Sequence, residues 1–206
     1  NLYRDRRDIH HDLNANLYAI VKLPFGFEYQ MNFTPRYHWY EYMNHESAEH
    51  PEWAGDGGRS ERKNEKTFNW QVDNILRWKK EFGEDHRVEA TFLQNAEKGQ
   101  WWKTVAQNKL YSPSDILGFH NIGAGTAPSV SSEDTYKTGD ALMGRLFYSF
   151  KDKYMLTASV RRDGYSAFGS MNPHAVFPAV ALGWVFTSEK FMEKTSDWLN
   201  YGKLRF

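Results

Sequence analysis

"GRLFYSFKDKYMLTASVRRDGYSAFG", residues Gly144–Gly169, alternates apolar and polar side chains on both sides of a three-residue break. Leu146, Tyr148 and Phe150 share one parity before Lys151–Lys153, and Tyr154, Leu156, Ala158 and Val160 share one after it. Successive side chains of an extended strand point to opposite faces, so this period of two reads as a hairpin with an apolar and a polar face. Read at helical spacing, Leu146, Ser149, Phe150 and Lys153 would form a stripe of mixed polarity. The apolar rows carry no charge, while Arg145, Arg161 and Asp163 take the other parity. A Lys or Arg facing lipid at mid-bilayer costs roughly 2–4 kcal/mol, so the uncharged rows suit hydrocarbon and Arg145, Arg161 and Asp163 a wet lumen. Tyr148, Phe150 and Tyr154 flank the break, where an interfacial aromatic girdle belongs.

Composition agrees with two differently wetted faces. Aromatic residues make up 17% of the 206, yet the mean hydropathy is −0.75. The 26 basic residues balance 26 acidic ones, which leaves no electrostatic footprint for nucleic acid. There is no cysteine, hence no disulfide framework, cysteine nucleophile or thiolate metal site. The most apolar window, Ala175–Phe186, is too short for a membrane helix and contains Pro178 and Gly183. The chain starts without methionine and stops at "YGKLRF", a strand just beginning, and is read as an interior stretch of a longer protein.

The same period recurs along the chain. Residues 12–23 place Leu13, Ala15, Leu17, Ala19, Val21 and Leu23 on one face, and "PFG" (Pro24–Gly26) makes a tight turn. Phe27, Tyr29, Met31 and Phe33 then oppose Glu28, Gln30 and Asn32. Trp70, Val72, Leu76 and Trp78 oppose Asn69, Gln71, Asp73 and Arg77, with Asn74 the misfit on the apolar side. Val88, Ala90 and Phe92 alternate with Arg87, Glu89 and Thr91, and Val180, Leu182, Trp184 and Phe186 form a seventh row.

The fold class is therefore all-β: seven to eight antiparallel up-and-down strands forming part of a transmembrane barrel. Its hairpins fall at about 12–38, 66–97, 140–163 and 175–206. Long outer loops are expected at about 38–67, 96–140 and 163–175. Short links alternate with long ones, as in outer-membrane barrels with short periplasmic turns and long extracellular loops. The link at Thr187–Asn200 is expected to hold a helical turn.

At these residues the sequence resembles the barrel of SusC/RagA-type TonB-dependent outer-membrane transporters. The resemblance is densest from Gly144 to Leu204. It is carried by Gly144, Arg145, Leu146, Tyr148, Lys153, Tyr154, Leu156, Thr157, Ala158, Arg161, Asp163 and Gly164, then Ser166, Phe168 and Gly169, Phe177–Pro178, Gly183–Trp184, "SEKFM" and "GKLRF". "NLYAIVKLPFGFEYQMNF" is similar to an upstream hairpin of the same barrel. Tyr165 and Ala167 depart from a usual Ser and Arg, and His174 from a Trp; all three sit in an expected outer loop.

The resemblance implies import of oligosaccharides or peptides across the outer membrane of a Gram-negative bacterium. A TonB complex would supply the energy, and a SusD-like lipoprotein would cap the extracellular mouth. Family barrels have about 22 strands and an amino-terminal plug, so this stretch would be wall, lumen lining and outer loops in contact with outer-membrane lipid. The plug and the TonB-contacting segment lie elsewhere in such proteins. The alternative from another class is a soluble or surface β-sandwich that binds glycans through exposed aromatics.

Candidate ligand-binding residues are the aromatics of the expected outer loops: Trp39, Tyr42, Trp53, Trp101 and Trp102. Aromatic faces suit the C–H surfaces of sugars, and neighbouring Asn, Asp and Arg can hydrogen-bond hydroxyls. The same residues also fit an outer girdle with loop packing, and spacing leaves both readings open. His45, Glu46 and His50 in "HESAEH" lack the four-residue His spacing of a helical zinc motif and read as a solvated loop. His10, His11 and Asp12 lack an identifiable further metal ligand. "GAGTAPS" and "DGGRS" read as flexible loops. Asp115, Glu133 and Asp134 show no acid–base pairing and no Ser–His–Asp order stands out, so neither an enzyme nor a cofactor is expected.

Overall fold

The computed structural model describes residues 3–169, 173–195 and 197–206. Residues 170–172, within the outer loop expected at 163–175, lie outside the described residues, as do residues 1, 2 and 196. Nine strands form one sheet: β1 (Arg4–Asn14), β2 (Leu17–Lys22), β3 (Phe27–Glu46), β4 (Arg59–Phe82), β5 (His86–Lys109), β6 (Ser129–Phe150), β7 (Tyr154–Tyr165), β8 (His174–Trp184) and β9 (Leu204–Arg205). The sheet order is β1-β3-β4-β5-β6-β7-β8-β9, with β2 also paired to β3. No pairing joins β9 to β1 among the described residues, so the sheet is an open section of barrel wall. The described residues form no second sheet to cover the apolar face, which is what the sandwich alternative requires.

The strands run further than hydrophobic periodicity places them. Residues 38–46, 59–67, 96–109 and 129–140, all expected in long loops, belong to β3, β4, β5 and β6. The connections are correspondingly tighter, at 47–58, 110–128 and 166–173. The first expected strand is also two. β1 begins at Arg4, in a charged stretch with no apolar alternation, and the ladder breaks between Asn14 and Leu17. Pro35 accounts for the break. Ala15 donates its N–H to the Pro35 carbonyl at 3.1 Å, but Pro35 has no N–H to return. Register survives the gap, since Asn14 faces Arg36 and Leu17 faces Phe33, so β3 keeps one parity from end to end.

The chain divides into two compact units. One holds the chain up to Ala15, Thr34–Trp70 and Lys98–Lys137; the other holds Asn16–Phe33, Gln71–Glu97 and Thr138–Phe206. In the second unit the register builds apolar rows across three strands. Gly144 faces Val160 and Val160 faces Pro178; Leu146–Ala158–Val180 and Tyr148–Leu156–Leu182 follow. Val180 is 70% exposed and Leu182 53%, so the described residues leave these rows largely uncovered. Asn74 interrupts the apolar parity of β4 and is satisfied in place: it accepts from Tyr29 Oη at 2.5 Å and donates to Gln94 Oε1 at 2.7 Å. The opposite parity is ionic, with Arg77 reaching Glu28 at 3.1 Å and Gln30 at 2.7 Å, and Asn95 donating to Asp73.

Short turns join these strands. At Pro24–Gly26 the chain passes through Gly26 at φ 84°, where a Cβ would stand 2.3 Å from the Lys79 carbonyl oxygen, so glycine is required. Trp78 Nε1 donates to the Phe25 carbonyl at 3.0 Å. The Thr187–Asn200 link contains two short 3-10 segments, Phe186–Ser188 and Lys190–Thr195.

Candidate functional site

The first unit shows how the extended strands arrange their polar and aromatic groups. Even-numbered residues of β3 share a face with even-numbered residues of β1, since Asp12 faces His38, His10 faces Tyr40 and Asp8 faces Tyr42. His10 stacks on Tyr40 with ring centroids 4.6 Å apart, and His38 Nδ1 lies 2.7 Å from Asp12 Oδ1. Tyr40 donates its hydroxyl to Asp8 at 2.8 Å, and Arg6 Nε reaches the other Asp8 oxygen at 2.8 Å. The Arg6 guanidinium covers the Tyr42 ring at 5.3 Å. Burial, then the Asp8 carboxylate, pushes the Tyr40 hydroxyl up to about 12, so it remains a neutral donor. The Tyr40 hydrogen bond, with Arg6 next, holds Asp8 below the ordinary carboxylate range.

β4 and β5 extend the same face. Lys63 Nζ lies over both rings, 4.8 Å from Tyr40 and 5.5 Å from Tyr42, and pairs with Glu65 at 3.3 Å. Trp101 Nε1 donates to Glu65 at 3.3 Å, and Gln107 donates to Glu61 at 2.7 Å. Tyr42 and Trp101 thus belong to one network that crosses four strands. Aromatic faces alternate there with hydroxyl, carboxylate, imidazole and ammonium groups. Such a surface offers C–H stacking and hydrogen bonds of both signs to a polar chain molecule. It holds no activated nucleophile.

Trp39 and Trp102 lie on the other face. Tyr37 contacts Trp39 at 3.8 Å and Phe68 at 5.7 Å between centroids. Trp102 lines a depression of about 690 Å³ with Tyr37, Glu41, Asn64, Lys66, Lys103 and Thr104. Trp53 sits in the 47–58 connection, between His50 at 4.3 Å and the Arg4 guanidinium at 5.5 Å. The structure therefore divides the five aromatic candidates among two sheet faces and a loop. Of the residues read as lumen-facing, Arg161 donates twice to Asp163, at 2.7 and 3.0 Å, and Arg145 shares their parity.

The "HESAEH" segment is no solvated loop. Glu46 is fully buried between Arg4 and Arg59, which clasp its two oxygens. Burial opposes its charge, but Arg4, Asn44 and Arg59 together keep its pKa below the ordinary 4.5. His45 Nδ1 is 2.9 Å from Ser60 Oγ, and its Nε2 is 3.5 Å from Asp115 Oδ2. This serine, histidine and aspartate come together only in the folded chain, so sequence order concealed them. Ser60 is fully buried, so the trio ties the ends of β3 and β4 to the 110–128 connection and offers no nucleophile to a substrate. Asp115 also accepts the Ala48 N–H at 2.8 Å. Burial opposes its ionisation too, yet the Ala48 amide, Ser47 and His45 hold its pKa below 3.8. Phe119 is 1% exposed beneath the Arg7 guanidinium. Asn108 bridges the carbonyls of Ile122 and Gly125 and the amides of Lys109 and Ala127.

Arg6, Asp8, His38, Tyr40, Lys63 and Glu65 are network members that the sequence does not single out, and His10 enters there only as a candidate metal ligand. Their signal is the β3 parity carried past residue 38, which becomes usable once that segment is known to be strand.

Residues 1–203 match the family model described as TonB dependent receptor-like, beta-barrel. The chain is 33% identical to TonB-dependent receptor P39 of Formosa agariphila over 140 residues, 67% of this chain and 13% of that protein. It is 31% identical to TonB-dependent receptor SusC of Bacteroides thetaiotaomicron over 100 residues, 47% of this chain and 8% of that one. Its fold superposes on a chain in the structure of the RagAB peptide transporter with a TM-score of 0.88 at 19% identity, covering 99% of this chain and 23% of that one. The chain thus spans only a small part of the length of the proteins it matches.

Proposed function

This chain belongs to the TonB-dependent receptor-like β-barrel family, and from that premise we propose that it is wall and outer lining of an outer-membrane nutrient importer. The apolar parity meets lipid and the polar parity meets the lumen. Cargo is an oligosaccharide or a peptide, and it brushes the Tyr40–Tyr42–Lys63–Trp101 surface during entry. Energy comes from a TonB complex acting through parts of the protein beyond this chain, and a SusD-like lipoprotein closes the outer mouth. The names of the relatives support this class of activity: SusC is called a TonB-dependent receptor and RagAB a peptide transporter. None of the relatives named is called an enzyme.

One observation carries the reading: parity sorts charged from apolar side chains through the central spans of β6, β7 and β8. Outward positions of β8 from Val176 to Trp184 are uncharged over nine residues, the length a tilted membrane strand needs. β4 and β5 have 24 residues each and rise about 80 Å at some 3.3 Å per residue, far more than a bilayer takes. The remainder of each strand stands in water, where charged pairs carry little desolvation cost.

The test uses the full-length protein that carries this chain, in the outer membrane of its host. Tyr42→Ala with Trp101→Ala is expected to weaken uptake of labelled oligosaccharide or oligopeptide mixtures about tenfold, the worth of one or two ring-stacking interactions. Trp39→Ala should leave uptake unchanged. Equal uptake by all three proteins would remove the lumen-face assignment.

A further inference from the structure

We propose that the opposite, outward face of the first unit is a seat for the phosphorylated-sugar headgroup of an outer-leaflet glycolipid. The inference rests on the outer-membrane reading above and gives Trp102 and its neighbours a role other than cargo contact. It starts from a change of composition along single strands. On the outward parity of β4, Trp78, Leu76, Val72, Trp70 and Phe68, interrupted by Asn74, give way to Lys66, Asn64 and Arg62. On β5, Val88, Ala90, Phe92 and Ala96, interrupted by Gln94, give way to Lys98, Gln100 and Trp102. On β3, apolar and aromatic residues run from Phe27 to Trp39 and stop at Glu41. The face that meets hydrocarbon therefore continues, without a change of parity, into one that combines aromatics with cations.

The depression at that place is built for a charged sugar. Tyr37 and Trp102 offer ring faces, Asn64 and Thr104 offer hydrogen bonds, and Lys66 offers charge beside the carboxylate of Glu41. Lys103 borders the depression from the parity of Trp101, whose ring it covers, and Arg62 and Lys98 supply the further outward cations. Arg62 and Lys66 form no ion pair among the described residues. Lys98 stands 5.5 Å over the Tyr136 ring. Cationic excess next to a hydrocarbon boundary attracts anionic headgroups, and the aromatic floor favours a saccharide over a bare phosphate. Soluble cargo passing on the lumen face has no access to these side chains, because they point through the other side of the sheet.

The experiment compares the full-length protein with Arg62→Gln/Lys66→Gln and with Arg145→Gln, which changes the polar parity. Each is reconstituted in nanodiscs of phosphatidylethanolamine with a titrated fraction of fluorescent lipopolysaccharide, and retained glycolipid is read per protein. The double variant should bind about thirtyfold more weakly, near fivefold for each surface cation, while Arg145→Gln matches the parent. Trp102→Ala should weaken binding severalfold even at high salt, where the cationic contribution is screened. Equal retention by parent and double variant overturns the proposal. So does displacement of the glycolipid by a soluble phosphorylated oligosaccharide or by a second copy of the protein. Heat-shifted gel mobility separates the two levels. A protein that never forms a barrel sinks the importer reading as well, whereas one that inserts normally and ignores Arg62 and Lys66 sinks only this inference.

Discussion

The β6–β8 hairpins and the closed connections at 47–58 and 110–128 solve burial in opposite ways. In the hairpins Leu146, Val160, Val180 and Leu182 belong to continuous apolar rows and are each half exposed or more among the described residues. Around the connections the deepest side chains are Phe119 and, at the flanking strand ends, Glu46 of β3, Ser60 of β4 and Asn108 of β5, each of the polar three held by ions or hydrogen bonds. On the reading proposed above, the first region relies on lipid as the solvent for its apolar face and needs only uncharged residues there. The second, on the same reading, stands in water and excludes it with a small, specific polar core, in which a buried polar group left without a partner is costly. One region tolerates exchange among apolar residues; the other tolerates almost none.

The largest effect should come from breaking the first strategy. Leu182→Arg places a charge in the middle of the lipid-facing row and should cost about 2–4 kcal/mol, read by urea unfolding of the reconstituted full-length barrel. Ala181→Arg, one position away on the other parity, should cost under about 1 kcal/mol, since that face is wet. If both cost the same, the sorting of faces is wrong.

Asn108→Ala removes four hydrogen bonds, three of which tie the 110–128 connection to the end of β5. It should destabilise that connection by about 2–3 kcal/mol, seen as faster hydrogen exchange at Ala127 with none at Leu182. Glu46→Gln should cost about 2 kcal/mol at neutral pH, because Arg4 and Arg59 lose their shared anion.

Acid supplies a gentler version of the same cut. Glu46 and Asp115 are both held below their ordinary values, so their contribution is complete above 4.5 and 3.8 respectively. It is lost as pH falls through the lower folded values. Protection of residues 47–58 should stay flat from neutral pH to 4.5 and decline below it, whereas the hairpin rows, having no ionised partner, should not respond. The smallest effect is expected at Asn74→Leu, about 1 kcal/mol. It restores the apolar row but leaves the Tyr29 hydroxyl and the Gln94 carbonyl without their partner.

Legibility in the sequence followed the same division. The hairpin rows around Leu156 and Leu182 could be read directly, because lipid imposes a charge penalty that leaves a strict period of two. The charged ends of β3 to β6 could not. Arg59–Thr67 is dense in charge and looks like loop, yet it is strand because Lys63, Glu65 and Glu61 find partners on β3 and β5. Pro35 hid the split between β1 and β2 because its effect appears only through the missing donor opposite Ala15.

The sequence by itself determined the strand period and the face each side chain takes, since both depend on neighbours one and two residues away. Only the tertiary structure decided how far the strands extend, which aromatics share the Tyr42 network, and that Glu46, Ser60 and Phe119 close a core of their own. Those outcomes rest on pairings between residues tens of positions apart, where a charged segment is loop or strand according to what the fold sets opposite it.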